Sequence, residues 1–169
     1  MASMEFHPNT LDPRAYRGAL GRFATGVALV ATRDDVGAPR AITINSFCSV
    51  SLDPPIVSWA IDEASDRHRL FVAARDFSIN ILSADQQALA ERFTRRTEAI
   101  IEEGGYDLDG SVPLIRGAVS RLTCETRFMQ TVGDHTVIFA TVRRFEDKGP
   151  ADMLGYCNGR FTTICAQGD

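Results

Sequence analysis

A row of small polar side chains at alternate positions is the first feature of the sequence that could do chemistry. Within AITINSFCSVSLDPP, at positions 41–55, one face of a predicted strand carries Thr43, Asn45, Ser49 and Ser51, and the opposite face is mostly apolar. Hydroxyl and carboxamide groups donate and accept hydrogen bonds, so this row could hold a polar ligand. An antiparallel sheet with one face in water gives the same alternation, and the strand alone does not decide between these two interpretations.

His135 is the second candidate, because it lies in TVGDHTV, where the segment GDH joins two predicted strands. The end of a hairpin at a barrel rim can project a side chain over a bound ligand, although a histidine in a turn is more often a simple polar turn residue. Asp134 beside it is better explained as a turn-former than as an acid. With 3 histidines in the whole chain, a three-histidine metal site is not expected.

Several common catalytic and binding motifs are missing from the sequence. It contains no G-x-x-x-x-G-K-[ST] phosphate loop, no G-x-G-x-x-G after a strand, no G-x-S-x-G and no H-E-x-x-H. The 4 cysteines include no C-x-x-C pair, so neither a zinc site nor a redox pair is indicated. A basic cluster at Arg92, Arg95 and Arg96 is explained by the dipole of a predicted helix that ends there, and a small phosphate site is the alternative.

The composition is that of an ordinary globular domain. The 169 residues carry 18 basic and 22 acidic side chains, and a net charge of −4 does not favour binding to nucleic acid. A chain of this size buries about 70% of its surface on folding, which allows one complete core. No apolar run approaches the roughly 20 residues of a membrane-spanning helix, and residues 1–10, expected to be flexible, lack the apolar segment of a signal peptide. We therefore expect a single cytoplasmic domain without membrane contact.

The elements that must position the candidate residues are mainly strands joined by turns. Asp12 and Pro13 predict the start of a helix that ends by Gly26, and Ser83 with Gln86 predicts a capping box for a second helix. A third, short helix is predicted at 97–105. Strands are predicted at 27–32, 41–52, 56–61, 76–82, 118–132, 136–145 and 156–164. Because no strand–helix period recurs, we predict a mainly β fold with peripheral helices, an antiparallel barrel rather than a doubly wound parallel sheet.

Several segments, in order and with natural spacing, resemble the short-chain flavin reductase family. They are FATGVALVAT, AITINSFCSVSLDPP, FSINILSADQQALAERF, GDHTVIFATV and YCNGRF, and the resemblance extends from about Tyr16 to Ile164. It implies a flavin-reductase-like antiparallel split β-barrel, here one flavin-binding domain over residues 1–169. It also implies an NAD(P)H:flavin oxidoreductase that reduces FMN or FAD with NADH or NADPH, as in the reductase components of two-component flavin-dependent monooxygenases.

The resemblance gives the polar row a ligand, because the matching strand of the family lies against the flavin. Thr43, Asn45 and Ser46 would contact the ring system and the ribityl chain, and Ser49 and Ser51 would continue that contact. The cofactor-binding set that we predict on this basis is completed by Ile44, Ser65, Arg67, Arg92 and Arg160.

Two positions depart from the family pattern. Ala41 replaces the usual glycine, and its methyl group is expected to tighten the approach to the ring. Arg67 stands near the phosphate, where many members have Ser or Thr, and it would either pair with that phosphate or be solvated. These departures leave FMN and FAD as alternatives.

His135 matches the family histidine that lies beside the nicotinamide, which implies a role in positioning the nicotinamide rather than in taking a proton. The resemblance further implies a homodimer and a partner monooxygenase that receives the reduced flavin. Two alternatives stay open: a split-barrel flavoenzyme that retains its flavin and acts on another small substrate, and a flavin carrier without turnover.

Overall fold

Short helices and longer strands follow the local signals of the sequence. A computed structural model describes residues 12–94 and 100–166. Within these ranges the helices are α1 (Pro13–Leu20), α2 (His68–Ala73), a 3-10 turn (Ala84–Gln86) and α3 (Gln87–Thr94). The strands are β1 (Thr25–Gly26), β2 (Ala28–Arg33), β3 (Pro39–Ile44), β4 (Cys48–Leu52), β5 (Pro55–Asp62), β6 (Asp76–Ile81), β7 (Tyr106–Asp109), β8 (Val112–Ile115), β9 (Ser120–Val132), β10 (His135–Asp147), β11 (Met153–Cys157) and β12 (Arg160–Ile164).

The main sheet contains seven strands in the order β3-β2-β6-β9-β10-β5-β4, and neighbouring strands are antiparallel. Its two edges, β3 and β4, are consecutive in the chain and are joined by residues 45–47 alone. A linker of this length spans at most roughly 15 Å, so the sheet must curl until the end of β3 lies close to the start of β4. The result is a split barrel, as predicted, in which the chain crosses from one edge to the other at residues 45–47.

A hydrogen-bonded clamp holds this crossing in place. The Oγ of Ser46 accepts a hydrogen bond from the N–H of Ala60 at 3.0 Å and donates to the carbonyl of the same residue at 3.1 Å. Ser46 thus pairs with β5 much as a strand residue would, although it belongs to the crossing.

Two apolar clusters lie on the two faces of the curled sheet. The barrel interior contains Trp59, which packs edge-on against Phe71 and Phe77 at 5.6 and 5.9 Å between ring centroids. The outer cluster joins Leu29 of β2 to Phe93 of α3, together with residues of β8 and β11. Because both faces of β2 are buried, this strand is almost continuously apolar in sequence.

Ser78 and Asn80 of β6 are buried on the outer face of the sheet, and the carboxamide of Asn80 is hydrogen-bonded there. Its Nδ2 donates to the carbonyl of Leu29 at 3.0 Å, and its Oδ1 accepts from the N–H of Ile115 at 2.9 Å. This buried side chain joins β6 to both β2 and β8.

Several predicted elements are confirmed and others are wrong. Strands β2, β5 and β6 and the β9–β10 hairpin lie where predicted, and Asp12 caps α1 by accepting a hydrogen bond from the N–H of Arg14 at 2.9 Å. The helix ends at Leu20, before the predicted Gly26. The predicted strand at 41–52 is two strands with different partners, β3 on β2 and β4 on β5.

The C-terminal segment is a hairpin rather than the single strand predicted at 156–164. Asn158 and Gly159 adopt positive φ angles of 50° and 75°, which is the two-residue turn that an Asn-Gly pair favours. Helix α2 and the β7–β8 hairpin are additional elements that the sequence analysis missed.

The region of the third predicted helix is only partly described. Residues 97–99 lie outside the described ranges, as do residues 1–10, Arg95 and Arg96. The described remainder is not helical, since Ile100 forms an isolated bridge with Arg40 and a turn follows it. Among the helices of the described ranges, none has the length and apolar character needed to cross a membrane.

Candidate functional site

A cleft with two halves opens where β3 ends, and both halves share Thr43, Ile44, Asn45 and Thr94 as lining residues. The histidine half has a volume of about 350 Å³ and is also lined by Ser46, Ala60, Ile61, Asp62, Ser65, Asp66, Arg67 and His135. The aromatic half has a volume of about 450 Å³ and is also lined by Val27, Tyr156, Gly159 and Phe161. The end of β3 and the start of the crossing therefore form a ridge between two concavities.

The polar row divides into side chains that hold the fold and one that faces the cleft. Thr43 donates its hydroxyl to the carbonyl of Ala90 in α3 at 2.7 Å, and the hydroxyl of Ser46 is taken by the clamp on β5. Asn45 is exposed, and its carboxamide makes no hydrogen bond to the described residues. The side-chain amide of Asn45 and the main chain of residues 45–47 are thus the groups that this stretch offers to a ligand.

Arg67 lines the histidine half and joins β3 to α3 through hydrogen bonds. It is a buried residue, and its Nη1 donates to the carbonyl of Ala41 in β3 at 3.1 Å and to that of Phe93 in α3 at 2.8 Å. Phe93 lies in the last turn of α3, where a cation complements the helix dipole. Burial lowers the pKa of this guanidinium, and Asp66 beside it opposes that effect.

The turn that precedes α2 is ordered by local hydrogen bonds. Ser65 accepts a hydrogen bond from the N–H of Arg67 at 3.3 Å, and its own N–H donates to the carbonyl of Asp62 at 3.0 Å. Asp62 also accepts from the N–H of Ala64 at 2.8 Å. This turn leads from the end of β5 to Arg67, whose guanidinium is bonded to β3 and α3. Hydrogen bonds to the main chain therefore order the elements on both sides of the histidine half.

His135 stands at the start of β10, directly opposite Asp62 in β5. Its side chain is 43% exposed, and its Nδ1 lies 2.7 Å from Oδ1 of Asp134. This hydrogen bond holds the pKa of Asp134 below its ordinary value. When Nδ1 donates to the carboxylate, Nε2 is left to accept a hydrogen bond from a ligand in the cleft. Asp134 is therefore both the predicted turn residue and the group that orients the imidazole.

Four other predicted residues do not line either half of the cleft. Ser49 and Ser51 lie on β4, beyond the crossing. Arg92 forms an ion pair with Glu102 at 2.9 Å in a different concavity, and Arg160 follows the lining residue Gly159. Their roles in cofactor binding stay predictions.

The methyl group of Ala41 does not narrow the cleft, contrary to expectation. Ala41 is fully buried in the outer apolar cluster, because it lies on the face of β3 that packs towards α3. Its contribution to the site is its carbonyl, which receives the hydrogen bond from Arg67.

The sequence analysis missed the aromatic wall of the cleft. Tyr156 and Phe161 are paired across the β11–β12 hairpin, with ring centroids 5.4 Å apart and an angle of 71° between the rings. The sequence carries the necessary signal, since the two aromatic residues lie symmetrically around the Asn-Gly pair and a two-residue turn makes them neighbours. Thr94, at the end of α3, was missed because nothing local places it beside β3.

Comparisons with known families and sequences all identify flavin reductases as similar proteins. A family model described as a flavin reductase like domain matches residues 20–165. The FMN reductase (NADH) SmoA of Agrobacterium fabrum is 41% identical over 159 residues, which cover 93% of this chain and 91% of that protein. The reductase component of the flavin-dependent trigonelline monooxygenase of Acinetobacter baylyi is 35% identical over 151 residues, covering 89% of this chain but only 48% of that protein.

The solved structures agree with the sequence matches. The NADH:FAD oxidoreductase SgcE6 of Streptomyces globisporus, in complex with NAD and FAD fragments, superimposes with a TM-score of 0.88 at 28% identity. That alignment covers 99% of this chain and 100% of the other.

Proposed function

Because the chain belongs to the flavin reductase family, we propose that it is an NAD(P)H:flavin oxidoreductase that reduces FMN or FAD and releases the product to a separate monooxygenase. The observation that carries this proposal is the two-sided cleft at the end of β3, with His135 in one half and the Tyr156–Phe161 pair in the other. Named relatives that are NADH-dependent FMN reductases or reductase components of monooxygenases support it.

The groups that line the cleft fit a flavin chemically. A flavin ring has a polar pyrimidine edge that needs donors and acceptors, and the rest of its ring surface is largely apolar. Asn45 and the main chain of residues 45–47 supply the polar groups, and Val27, Tyr156 and Phe161 supply apolar surface. The volumes of the two halves, about 350 and 450 Å³, lie within the roughly 300–1,000 Å³ of small-molecule sites.

The chain contributes orientation rather than covalent chemistry. Bound flavin supplies the atom that accepts a hydride from the reduced nicotinamide, and such a transfer depends on stacking and alignment of the two rings. Asn45 and the main chain beside it fix the ring of the flavin, and the clamp between Ser46 and Ala60 keeps that main chain in place.

His135 positions the nicotinamide in this proposal. Its Nδ1 is held by Asp134, so its Nε2 can accept a hydrogen bond from the carboxamide or a sugar hydroxyl of the nucleotide. The reaction transfers a hydride and requires no proton from this imidazole. His135 is therefore a positioning group, in agreement with its place at a hairpin end over the histidine half.

The homodimer is a further part of the proposal. Phe128 and Val132 are exposed on one face of β9, and Phe128 stacks on Phe139 with 4.5 Å between ring centroids. A second copy of the chain would cover such a surface. Light scattering at several protein concentrations tests this, and a monomer at every concentration would contradict it. The cytoplasmic location stays a prediction from the sequence.

Steady-state assays of NADH and NADPH oxidation, each with FMN, FAD and riboflavin, test the proposed function. We expect oxidation of NADH or NADPH that depends on added FMN or FAD, together with exchange of the bound flavin during turnover. Flavin that stays bound while another substrate reacts would favour the retained-flavin enzyme, and flavin binding without nicotinamide oxidation would favour the carrier.

Asn45→Leu tests the flavin side of the cleft. It removes the polar side chain with little change in size and should weaken flavin binding, as measured by fluorescence titration. Thr163→Val, exposed on β12 and outside the lining of both halves, is the control variant and should leave flavin affinity unchanged. Unchanged affinity in Asn45→Leu would show that the flavin ring lies elsewhere.

A further inference from the structure

A separate basic concavity of about 300 Å³ lies between α1 and the turn that joins β11 to β12. Its lining consists of two arginines, three glycines and an asparagine, namely Arg14, Arg17, Gly18, Gly21, Asn158 and Gly159. No acidic residue belongs to this lining, although the chain as a whole has a net charge of −4. The concavity therefore differs in charge from the rest of the molecule.

The two walls of this basic concavity are fixed to each other. The N–H of Asn158 donates to the carbonyl of Gly21 at 2.6 Å, which joins the turn to the C-terminal end of α1. The turn itself is of the Asn-Gly type, with positive φ angles at both residues, so it has a defined shape. Because three of the lining residues are glycines, main-chain groups of both walls are accessible to a ligand.

The basic concavity adjoins the aromatic half of the cleft. Gly159 lines both the basic concavity and the aromatic half of the cleft. A ligand whose ring lies against Tyr156 and Phe161 would reach the basic concavity by passing over this glycine, which has no side chain to obstruct it.

Within residues 12–94 and 100–166, the two arginines of the basic concavity have no ion-pair partner. Neither guanidinium makes a hydrogen bond or ion pair with another described residue, and the nearby carboxylate of Asp12 accepts from the main-chain N–H of Arg14. Other surface arginines do form ion pairs, as Arg116 does with Asp107 and Arg143 does with Glu125. A guanidinium is planar and matches the oxygens of a phosphate group, so two unpaired ones beside a cleft constitute a potential phosphate site.

We propose that Arg14 and Arg17 bind the phosphate or diphosphate of a nucleotide whose ring occupies the cleft. The proposal rests on the proposed function, since it takes the ring to be a flavin or a nicotinamide. The shared chemistry is a phosphate ester, which belongs either to the flavin nucleotide or to the nicotinamide nucleotide. Phosphate-free analogues of both ligands distinguish these sources.

The first test compares the double variant Arg14→Gln/Arg17→Gln with the wild-type protein. Dissociation constants for FMN and riboflavin come from fluorescence titration, and KM values come from assays with NADH and with reduced nicotinamide riboside. We expect a loss of roughly 5- to 30-fold for at least one phosphate-bearing ligand, with its phosphate-free analogue unchanged within about twofold. A loss for FMN alone assigns the site to the flavin phosphate, and a loss for NADH alone assigns it to the nicotinamide nucleotide.

Arg143→Gln/Arg144→Gln is the matched control, because it removes the same charge from the exposed face of β10. Two acidic partners of these arginines keep other cations, since Glu125 also pairs with Arg75 and Glu146 with Arg121, and Asp109 keeps a hydrogen bond from the hydroxyl of Thr123 at 2.7 Å. If the control variant loses as much affinity as the Arg14/Arg17 variant, or if the phosphate-free ligands lose as much as the others, the proposal is overturned. Equal binding of all four ligands in the Arg14/Arg17 variant also overturns it.

A second variant tests the same basic concavity without removing an arginine. A Cβ atom at Gly18 would meet nothing within 4 Å, so Gly18→Ala is tolerated and serves as the control. Gly18→Glu places a carboxylate one turn from Arg14 and should weaken the phosphate-bearing ligands selectively, whereas an effect equal to that of Gly18→Ala contradicts the site. Flavin titrations need no turnover, so the comparison of FMN with riboflavin tests the site even if the wild-type protein fails to oxidise NADH.

Discussion

Replacing Ser46 with alanine tests whether this hydroxyl holds the barrel together or binds the flavin. In the structure it makes two hydrogen bonds to the main chain of Ala60, at 3.0 and 3.1 Å, and so joins the crossing at residues 45–47 to β5. The family resemblance instead assigns Ser46 to the flavin. Because both hydrogen-bonding functions of the hydroxyl are used within the protein, we expect Ser46→Ala to reduce stability more than flavin affinity.

The size of this effect follows from the two hydrogen bonds. Each contributes a net 0.5–1.5 kcal/mol in a typical protein, but Ser46 is exposed and water can replace part of the loss, so we expect about 1–2 kcal/mol. For a domain of this length each kcal/mol lowers Tm by about 2–4 °C, which gives a decrease of roughly 2–8 °C. Flavin affinity should fall by no more than about threefold, through small displacements of Asn45.

Urea unfolding and flavin titration, carried out on the same preparations, separate the two roles. Ser49→Ala is the control for stability, because Ser49 is exposed on β4 and its hydroxyl makes no hydrogen bond to the described residues. Its stability should stay within about 0.5 kcal/mol of the wild-type value. If Ser46→Ala unfolds at the wild-type urea concentration while flavin affinity falls at least tenfold, the hydroxyl is a flavin ligand and our explanation of the crossing is wrong.

Three further predictions concern other parts of the molecule. His135→Ala should lower kcat/KM for NADH by about 5- to 150-fold, as expected for one lost positioning hydrogen bond, with little change in flavin affinity. Flavin affinity and NADH kinetics are measured separately. Weaker flavin binding with unchanged kcat/KM for NADH would show that His135 contacts the flavin and not the nicotinamide. Arg67→Met should reduce the free energy of unfolding by about 2–4 kcal/mol, because two main-chain carbonyls lose a buried charged donor; an unchanged urea midpoint would contradict this. Burial raises the pKa of the Cys124 thiol to about 12, so this thiol stays protonated at pH 8. A thiol reagent should therefore modify Cys124 only after the protein unfolds. Rapid labelling of Cys124 in the native protein would contradict this prediction.

The sequence predicts well those elements whose signals are local. Strands β2, β5 and β6 have compact apolar or alternating segments, and the Gly-Asp turn of the β9–β10 hairpin follows directly from the residues at 133–134. The start of α1 is equally local, since Asp is a favoured N-cap residue and Pro is favoured at the first helical position. His135 could therefore be placed at a hairpin end before any tertiary structure was known.

Features that depend on distant partners were not predictable in the same way. The alternation at 41–52 continues through the crossing, and no local property shows that its first half pairs with β2 and its second half with β5. The hydroxyls of Thr43 and Ser46 have partners at residues 90 and 60, so their structural roles become visible only in the fold. The assignment of this strand to a flavin site stays a prediction, and only the fold shows which of its side chains are available to a ligand.

The cleft at the crossing of residues 45–47 can form only late in protein synthesis, because strands made later complete the sheet around it. The β2–β3 and β4–β5 hairpins are local and can form as soon as each has left the ribosome, but β6, β9 and β10 must then insert between them before the two edges meet. The aromatic wall follows later still, with Phe161. A nascent chain thus carries no complete cleft until Phe161 has been translated, so we expect flavin to bind the folded barrel and not an early intermediate.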